Sequence, residues 1–302
     1  EVQQWAMDMY AKIYRDYFAL DGYVGNKSTS EKFAGADDTL TFEVLMPSGK
    51  ALQSCTSHDL GQNFAKTFGI SFQDQDGRDA DVWQTSWGLS TRSIGGLIMA
   101  HGDDNGLVLP PKLAPIQVVI VPVQPEGEIL NYCQQLKEAL EQYNIRVELD
   151  SRDDERFGFK LNKWEVKGVP VLFKVGDKEL GDRRVTAKRR DSGSESQLSE
   201  DTVATEVREL LEQIQSSLLE NSRRFRDENT REASNYEEMK QILKEHKGFV
   251  KVFWNDDPEV EAKIKAETTA ESRCKIGVSE AEGTDFYTGK PAKDIWLFAQ
   301  SY

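Results

Sequence analysis

Residues 86–92 read Ser-Trp-Gly-Leu-Ser-Thr-Arg and close the segment VWQTSWGLS (82–90), in which bulky apolar side chains alternate with small ones. A strand here places Gln84, Ser86, Gly88 and Ser90 on one face and Trp83, Thr85, Trp87 and Leu89 on the other. One face is then packed and the other nearly bare. A glycine between serines inside a strand marks either a bulge or a place where a ligand or another backbone comes close. Arg92 follows at the strand's end. A guanidinium over a bare sheet face suits polyphosphate, because its planar fork bonds two phosphate oxygens at once. From these seven residues alone, a bulge beside a surface arginine is the simpler reading.

Working outward, TLTFEVLM (39–46) alternates Leu40, Phe42, Val44 and Met46, turns at Pro47-Ser48-Gly49 and continues as KALQS, a hairpin pattern. A helix is expected from Ser57, with Leu60, Phe64 and Phe68 four apart, and another with Ile94, Leu97, Ile98 and His101 on one face and Gly102 as its cap. The first residues, EVQQWAMDMY, carry no basic or apolar leader pattern and look like an amphipathic helix on Trp5, Met9 and Ile13, as if the chain began partway into a longer protein. This region predicts an antiparallel sheet with helices, and GLVLPPKLAP (106–115) its exit linker.

The next region changes style. IQVVIVPV (116–123) is a near-continuous apolar run, followed by a helical stripe of Ile129, Tyr132, Cys133, Leu136, Leu140 and Tyr143 and then the strand IRVELD. Strand, helix and strand of buried composition imply a parallel pair with a helical crossover. GVPVLFKVG and RRVTAKRR add strands, and DSGSESQLSED (191–201) is expected to be a surface loop. The last region predicts a long helix from about Thr202, a strand FVKVFW, a helix after Asp256-Asp257-Pro258 and a terminal strand IWLFAQSY. The fold class is therefore mixed α/β and α+β.

Charge and cysteine usage narrow the function. A net charge of -14 argues against a general nucleic-acid binder. Between Arg152 and Arg190, however, twelve Lys/Arg face seven Asp/Glu, so this stretch is a candidate nucleic-acid face, although a solvated charge run is the commoner explanation. Cys55, Cys133 and Cys274 are far apart without a C-x-x-C pair, which excludes a disulfide framework or a complete zinc tetrad and fits a reducing cytosol. No apolar run approaches the ~18 residues of a membrane span, so a water-soluble, non-membrane protein is expected.

Taken together, KSTSEKFAGADDT (27–39), ALQSCTSHDLGQNFAKTF (51–68), SWGLSTRSIGGLIMAHGDDNGLVLPP (86–111) and FKLNKWEVKGVPV (159–171) resemble prolyl-tRNA synthetases of the archaeal and eukaryotic type, in order and over nearly the whole chain. The resemblance implies a class II synthetase whose ligands are ATP, Mg2+, L-proline and tRNA(Pro). It implies three domains: the C-terminal part of the catalytic core with its antiparallel sheet (1–112), an α/β anticodon-binding domain (113–220) and a small α+β C-terminal domain (221–302). SWGLSTR corresponds to motif 3, so Arg92 is implied as the catalytic arginine on ATP phosphate, with Ser90 lining the nucleotide. Gln53 and Thr56 match the pair at ATP and its magnesium, while Phe33, His58, Ser86 and Gly88 match the proline pocket. Singly, Phe33 reads as core filler, His58 as a satisfied core histidine and Gln53 as a strand surface residue. In the anticodon region Phe159, Lys163 and Lys167 combine stacking and phosphate-contacting types, and Trp164 is expected in the core.

The expected chemistry needs no enzyme nucleophile, because a carboxylate ionised at neutral pH attacks the α-phosphate directly. An apolar pocket of this kind rejects near-isosteres by only ~1–3 kcal/mol, so leakage to cysteine or alanine is expected. Several family features differ. Motif 1, largely the homodimer interface, and motif 2, with its second arginine, are not visible, so the 302-residue chain alone is expected to be inactive. Many relatives carry a four-cysteine zinc site, but here Cys274 stands alone and TDFYTGKP brings no second thiolate pair, so no zinc is expected. The family's terminal tyrosine, here Tyr302, points toward the active site, or else simply ends a strand. A noncatalytic tRNA-binding or regulatory relative is the alternative function, disfavoured by the retained Gln53, Thr56, His58 and Arg92.

Overall fold

The polar–apolar alternation of residues 38–45 becomes an interior strand of a large sheet in a computed structural model that describes all 302 residues. The chain forms two compact units, one of residues 1–15, 20–96 and 222–302 and one of residues 16–19 and 97–221. The first opens with helix α1 (Val2–Asp16), which buries Ala6, Met7, Tyr10, Ala11 and Tyr14. The Trp5–Met9–Ile13 stripe is helical as expected but lies on the less buried side, with Trp5 57% exposed. Strands β1 (Tyr23–Asn26), β2 (Asp38–Leu45) and β3 (Ala51–Gly61) follow, the last two joined by the turn at Pro47-Ser48-Gly49, where Gly49 takes φ 78°.

The helix expected from Ser57 is not there. Residues 57–61 continue β3, and helix α2 (Asn63–Phe68) starts beyond them. Pairing on both sides overrides the four-residue apolar spacing: Ser57 lies opposite Leu40 on β2 and Trp87 on the neighbouring strand. A short hairpin, β4 (Ser71–Gln73) with β5 (Asp79–Asp81), leads into β6 (Gln84–Leu89), which pairs antiparallel with β3. Gly88 sits in regular register with Thr56, and the irregularity of this pair falls at Asp59/Gly61, so the bulge reading fails. The face expected to be packed is only partly covered. Trp87 meets Trp5 and Tyr10 edge-on yet is 42% exposed, because β6 ends the sheet. Helix α3 (Arg92–His101) closes with the Gly102 N–H on the Ile98 carbonyl. Of its apolar stripe Leu97 is buried, and Ile94 and Ile98 are exposed.

The second unit contains β7 (Val118–Pro122), α4 (Gly127–Glu141), β8 (Val147–Leu149), α5 (Phe157–Val166), β9 (Val171–Val175), α6 (Asp177–Asp182), β10 (Arg184–Arg189) and β11 (Glu195–Ser199). Its five strands run β11-β10-β9-β7-β8, with β7 parallel to both β8 and β9. The expected crossover pair is therefore present. Val118, Ile120, Cys133, Leu136 and Phe173 share its core with Val207 and Leu211 of the long helix α7 (Val203–Glu228). The serine-rich 191–201 is not all loop: β11 pairs antiparallel with β10 over 195–199, burying Leu198 while its polar neighbours stay on the sheet's edge.

Beyond α7 the chain returns to the first unit as β12 (Thr230–Glu232), α8 (Tyr236–Glu245), β13 (Phe249–Phe253), α9 (Pro258–Thr268), β14 (Ala270–Thr284) and β15 (Pro291–Gln300). Asp257 caps α9 through the N–H groups of Glu259 and Val260, with Pro258 at the first helical position. These strands complete one eight-stranded sheet in the order β12-β13-β15-β14-β1-β2-β3-β6. At the β1–β14 seam a Cβ on Gly25 would lie 2.2 Å from the Lys275 carbonyl oxygen, so only glycine lets the two strands meet there. The long β14 is not among the strands expected from the sequence. No helix is long and apolar enough to cross a membrane.

Candidate active site

The rungs of β2, β3 and β6 build the site. Thr41, Thr56 and Gly88 stand abreast, as do Thr39, His58 and Ser86. Side chains paired across strands emerge on the same face, so these six positions share one face. At Gly88 an added Cβ would meet nothing within 4 Å, so the missing side chain leaves open space above the sheet. Next to it lies a cavity of about 310 Å³ lined by Gln53, Ser54, Cys55, Thr56, Gly88, Leu89, Ser90 and Arg92. Arg92 begins α3. Its guanidinium donates to the Gln53 carbonyl at 3.3 Å, and its backbone N–H donates to Ser90 Oγ at 3.3 Å. The four residues matched to ATP thus line one cavity, with a guanidinium and several hydroxyl and amide groups around it.

One rung away, the Phe33 and His58 rings lie 4.9 Å apart. The imidazole is held at both nitrogens, Nδ1 to Thr39 Oγ1 at 2.9 Å and Nε2 to Thr56 Oγ1 at 3.0 Å. Burial lowers its pKa from the ordinary value, favouring the neutral ring. Phe33 donates its N–H to Thr39 Oγ1 at 3.2 Å, which ties the aromatic wall to the histidine. Phe33, His58, Ser86 and Gly88 therefore form one cluster.

Farther along the same face lies a buried charge group. Glu43, register partner of Gln53, accepts from Thr41 Oγ1 at 2.8 Å and pairs with Lys27 at 3.1 Å and Arg273 at 2.7 Å. Burial alone would raise the Glu43 pKa, but the two cations outweigh it and hold the carboxyl below its ordinary value. Thr39, Thr41 and Glu43 went unnoticed in the sequence, although they alternate with Leu40, Phe42 and Val44 and so form the polar face of the same strand. Nothing in the sequence marked Arg273 as their partner.

Elsewhere, Tyr302 is 61% exposed, donates its N–H to the Ala51 carbonyl at 3.3 Å and shares a 3.1 Å hydrogen bond with Ser48 Oγ. It rests on the β2–β3 turn, two residues of β3 short of Gln53. Cys274 is fully buried in β14 with Phe249 and Leu297, and burial pushes its thiol pKa up. In the second unit Phe159, Lys163 and Lys167 fall four apart on α5 and at its end. Phe159 is 58% exposed and Lys167 stands over the Trp164 ring at 4.3 Å. Trp164 itself is core, donating Nε1 to Asp150 at 2.7 Å.

Residues 117–210 match the family described as Anticodon binding domain, and residues 236–302 that described as Prolyl-tRNA synthetase, C-terminal. The proline–tRNA ligase of Amoebophilus asiaticus is 42% identical over the entire chain, and that of Rubrobacter xylanophilus likewise. The chain spans 63% and 64% of the length of these two relatives. A crystal structure of prolyl-tRNA synthetase from Cryptosporidium parvum, complexed with L-proline and AMP, superposes with a TM-score of 0.92 at 36% identity, over 99% of this chain and 67% of that one. An antiparallel sheet carrying this site, two matching family regions and a likeness that runs from one end to the other place these 302 residues in the prolyl-tRNA synthetase family.

Proposed function

We propose that this chain carries the motif 3 half of a proline–tRNA ligase active site, which joins L-proline to ATP as prolyl-adenylate and then transfers the prolyl group to tRNA(Pro). The observation that carries the reading is the adjacency of the Arg92 cavity and the Phe33–His58–Ser86 cluster on one sheet face. In activation a proline carboxylate oxygen bonds to the α-phosphorus and pyrophosphate leaves, so no enzyme base is consumed. In transfer a ribose hydroxyl of the tRNA's terminal adenosine attacks the acyl carbon and AMP leaves.

Each group has a task in that scheme. Arg92 neutralises charge that grows on the phosphate oxygens, and Ser90, Gln53 and Thr56 orient the nucleotide. Phe33 walls the pyrrolidine ring. His58, kept neutral by burial, adds a polar group without a second positive charge near the proline ammonium. Gly88 and Ser86 leave room for the ring above the sheet. Gln53 and Thr56 offer neutral oxygens and no carboxylate, a set that fits Mg2+ held mainly by ATP phosphates. Bound there, Mg2+ would supply charge neutralisation on the polyphosphate.

The reading divides the chain into a catalytic part (1–112), an anticodon-binding part (113–220) and a C-terminal part (221–302). Phe159, Lys163 and Lys167 are candidates for contact with tRNA. A homodimer in the cytoplasm is the assembly and location that fit it, with reduced, buried cysteines. The test is amino-acid-dependent ATP–pyrophosphate exchange, run with each of the twenty amino acids on the protein that carries these residues in their natural context. Proline-dependent exchange is expected. Tight tRNA binding with no exchange for any amino acid would sink the catalytic reading.

A further inference from the structure

The loop that carries Phe33 is held by residues more than two hundred positions away. Glu261, on α9 and 3% exposed, accepts from Ser28 Oγ at 3.0 Å and from Ser30 Oγ with one carboxylate oxygen, and from the Ser272 N–H at 3.2 Å with the other. Ser272 Oγ donates in turn to Ser28 Oγ at 3.0 Å. Ser28 is fully buried, and its carbonyl accepts the N–H groups of Glu31 at 3.2 Å and Lys32 at 2.9 Å, forming the turn that delivers Phe33. Phe33 then binds Thr39, and Thr39 binds His58.

A second clamp lies beside the first. Asp256 accepts the Thr29 N–H at 3.1 Å and its hydroxyl at 2.8 Å, from a left-handed backbone at φ 52° that a non-glycine residue keeps only when its surroundings enforce it. Lys265 pairs with Glu31 at 3.8 Å. Every one of these anchors comes from the segment 256–272, and all lie in the same compact unit as the site.

We propose that Glu261 is a positioning residue of the proline pocket, which fixes Phe33 against His58 by holding Ser28 and Ser30. A carboxylate is an acceptor only, so both serine hydroxyls must point at it and the turn has one hydrogen-bonding solution. An amide of the same shape accepts with one atom and donates with the other, so it can satisfy the same partners with the serine roles redistributed. The inference rests on Phe33 and His58 forming the proline pocket.

The experiment is steady-state ATP–pyrophosphate exchange on the protein in its natural context, with KM for proline and KM for ATP measured separately. Glu261→Ala is expected to raise KM for proline about tenfold while KM for ATP stays within about twofold, and Glu261→Gln to recover most of the loss. If Glu261→Ala does not accumulate as folded protein, Ser30→Ala removes one donor from an exposed residue and is expected to raise KM for proline about threefold. A merely structural role lowers the active fraction and leaves both KM values alone; that result, or a parallel rise in both, overturns the proposal. Absence of proline-dependent exchange in the unmodified protein sinks the reading of the site, and this inference with it. Exchange without the KM split sinks the positioning role alone.

Discussion

Arg92 is the cation among the residues lining the cavity, and its 3.3 Å reach to the Gln53 carbonyl holds the exposed guanidinium over β3. Removing it leaves the proposed phosphate charge without its fork, so Arg92→Ala is expected to cut proline-dependent exchange about a hundredfold or more. Arg92→Lys keeps the charge but loses the bidentate geometry and should recover only part of that loss. Retention of near-normal exchange by the alanine variant would remove Arg92 from the mechanism. His58 makes a pH prediction. Its pKa lies below the ordinary 6.5, so the ring is neutral at pH 7 and gains its proton only under acid conditions. The imidazolium would donate at both nitrogens and repel the proline ammonium, so KM for proline should be flat above neutrality and rise as pH falls through the depressed value. KM for ATP serves as the control, and a proline KM that rises no more than the ATP KM on acidification would contradict the assignment. At this scale the sequence was informative where motif residues stand close together, as Gln53 and Thr56 do. It was silent on Glu261 and Arg273, because a buried partner two hundred residues away leaves no local pattern.

At the scale of the element, β6 explains why a glycine stands mid-strand. Gly88 has an ordinary strand pairing, and a Cβ there would touch nothing, so the fold places no demand on it. Gly88→Val should therefore leave the melting temperature unchanged while abolishing exchange, since its methyls would fill the space proposed for substrate. A comparable loss of stability would show that packing, not substrate, selects glycine. The strands were legible where alternation was uninterrupted, as in β2, or where the apolar run was continuous, as in β7. They were misread where a helical spacing was carried back onto a paired strand: Phe64 and Phe68 lie on α2, but Leu60 belongs to β3. The loop from β8 to α5 adds an acid-stability prediction. Asp150 is 3% exposed, accepts Trp164 Nε1 and takes Arg152 at 2.7 and 2.5 Å. Burial opposes its charge, but Arg152 and Trp164 outweigh that and hold its pKa at about 2. Since the folded value is depressed, the stability it contributes is present above the ordinary 3.8 and is lost as pH falls from there toward about 2. With the partial exposure of Arg152 discounted, that is about 1 kcal/mol. Urea midpoints measured across this window should fall more steeply for the unmodified protein than for Asp150→Asn, and identical slopes would show that Asp150 does not titrate with unfolding.

Over the whole molecule, a net charge of -14 must be reconciled with a proposed RNA partner. The basic excess of residues 152–190 is the obvious place to look, and the structure shows how little of it is free. Arg152, Lys163, Lys174, Arg183, Lys188, Arg189 and Arg190 each lie within 4.0 Å of a carboxylate, and Lys160 is buried with its ammonium on backbone carbonyls. Composition could count these charges but not their partners, because pairs such as Arg190 with Asp103 join residues far apart in sequence. Arg156, Lys167, Lys178 and Arg184 are exposed and outside these ion pairs. Arg156 precedes α5, and Phe159, Lys163 and Lys167 follow at helical spacing, so this one helix offers an exposed ring flanked by cations. Such a surface binds a single strand by stacking as much as by charge. Each phosphate neutralised on a single strand contributes about -0.7 to the slope of log K against log salt, so four available cations set a ceiling of about -3 for the stretch 152–190. The salt dependence of tRNA affinity should therefore be shallow, and Lys167→Glu should lower both the affinity and the slope. Phe159→Ala should lower the affinity and leave the slope unchanged, because stacking releases no counterions. A steep slope that survives Lys167→Glu would place the RNA on another surface of the protein.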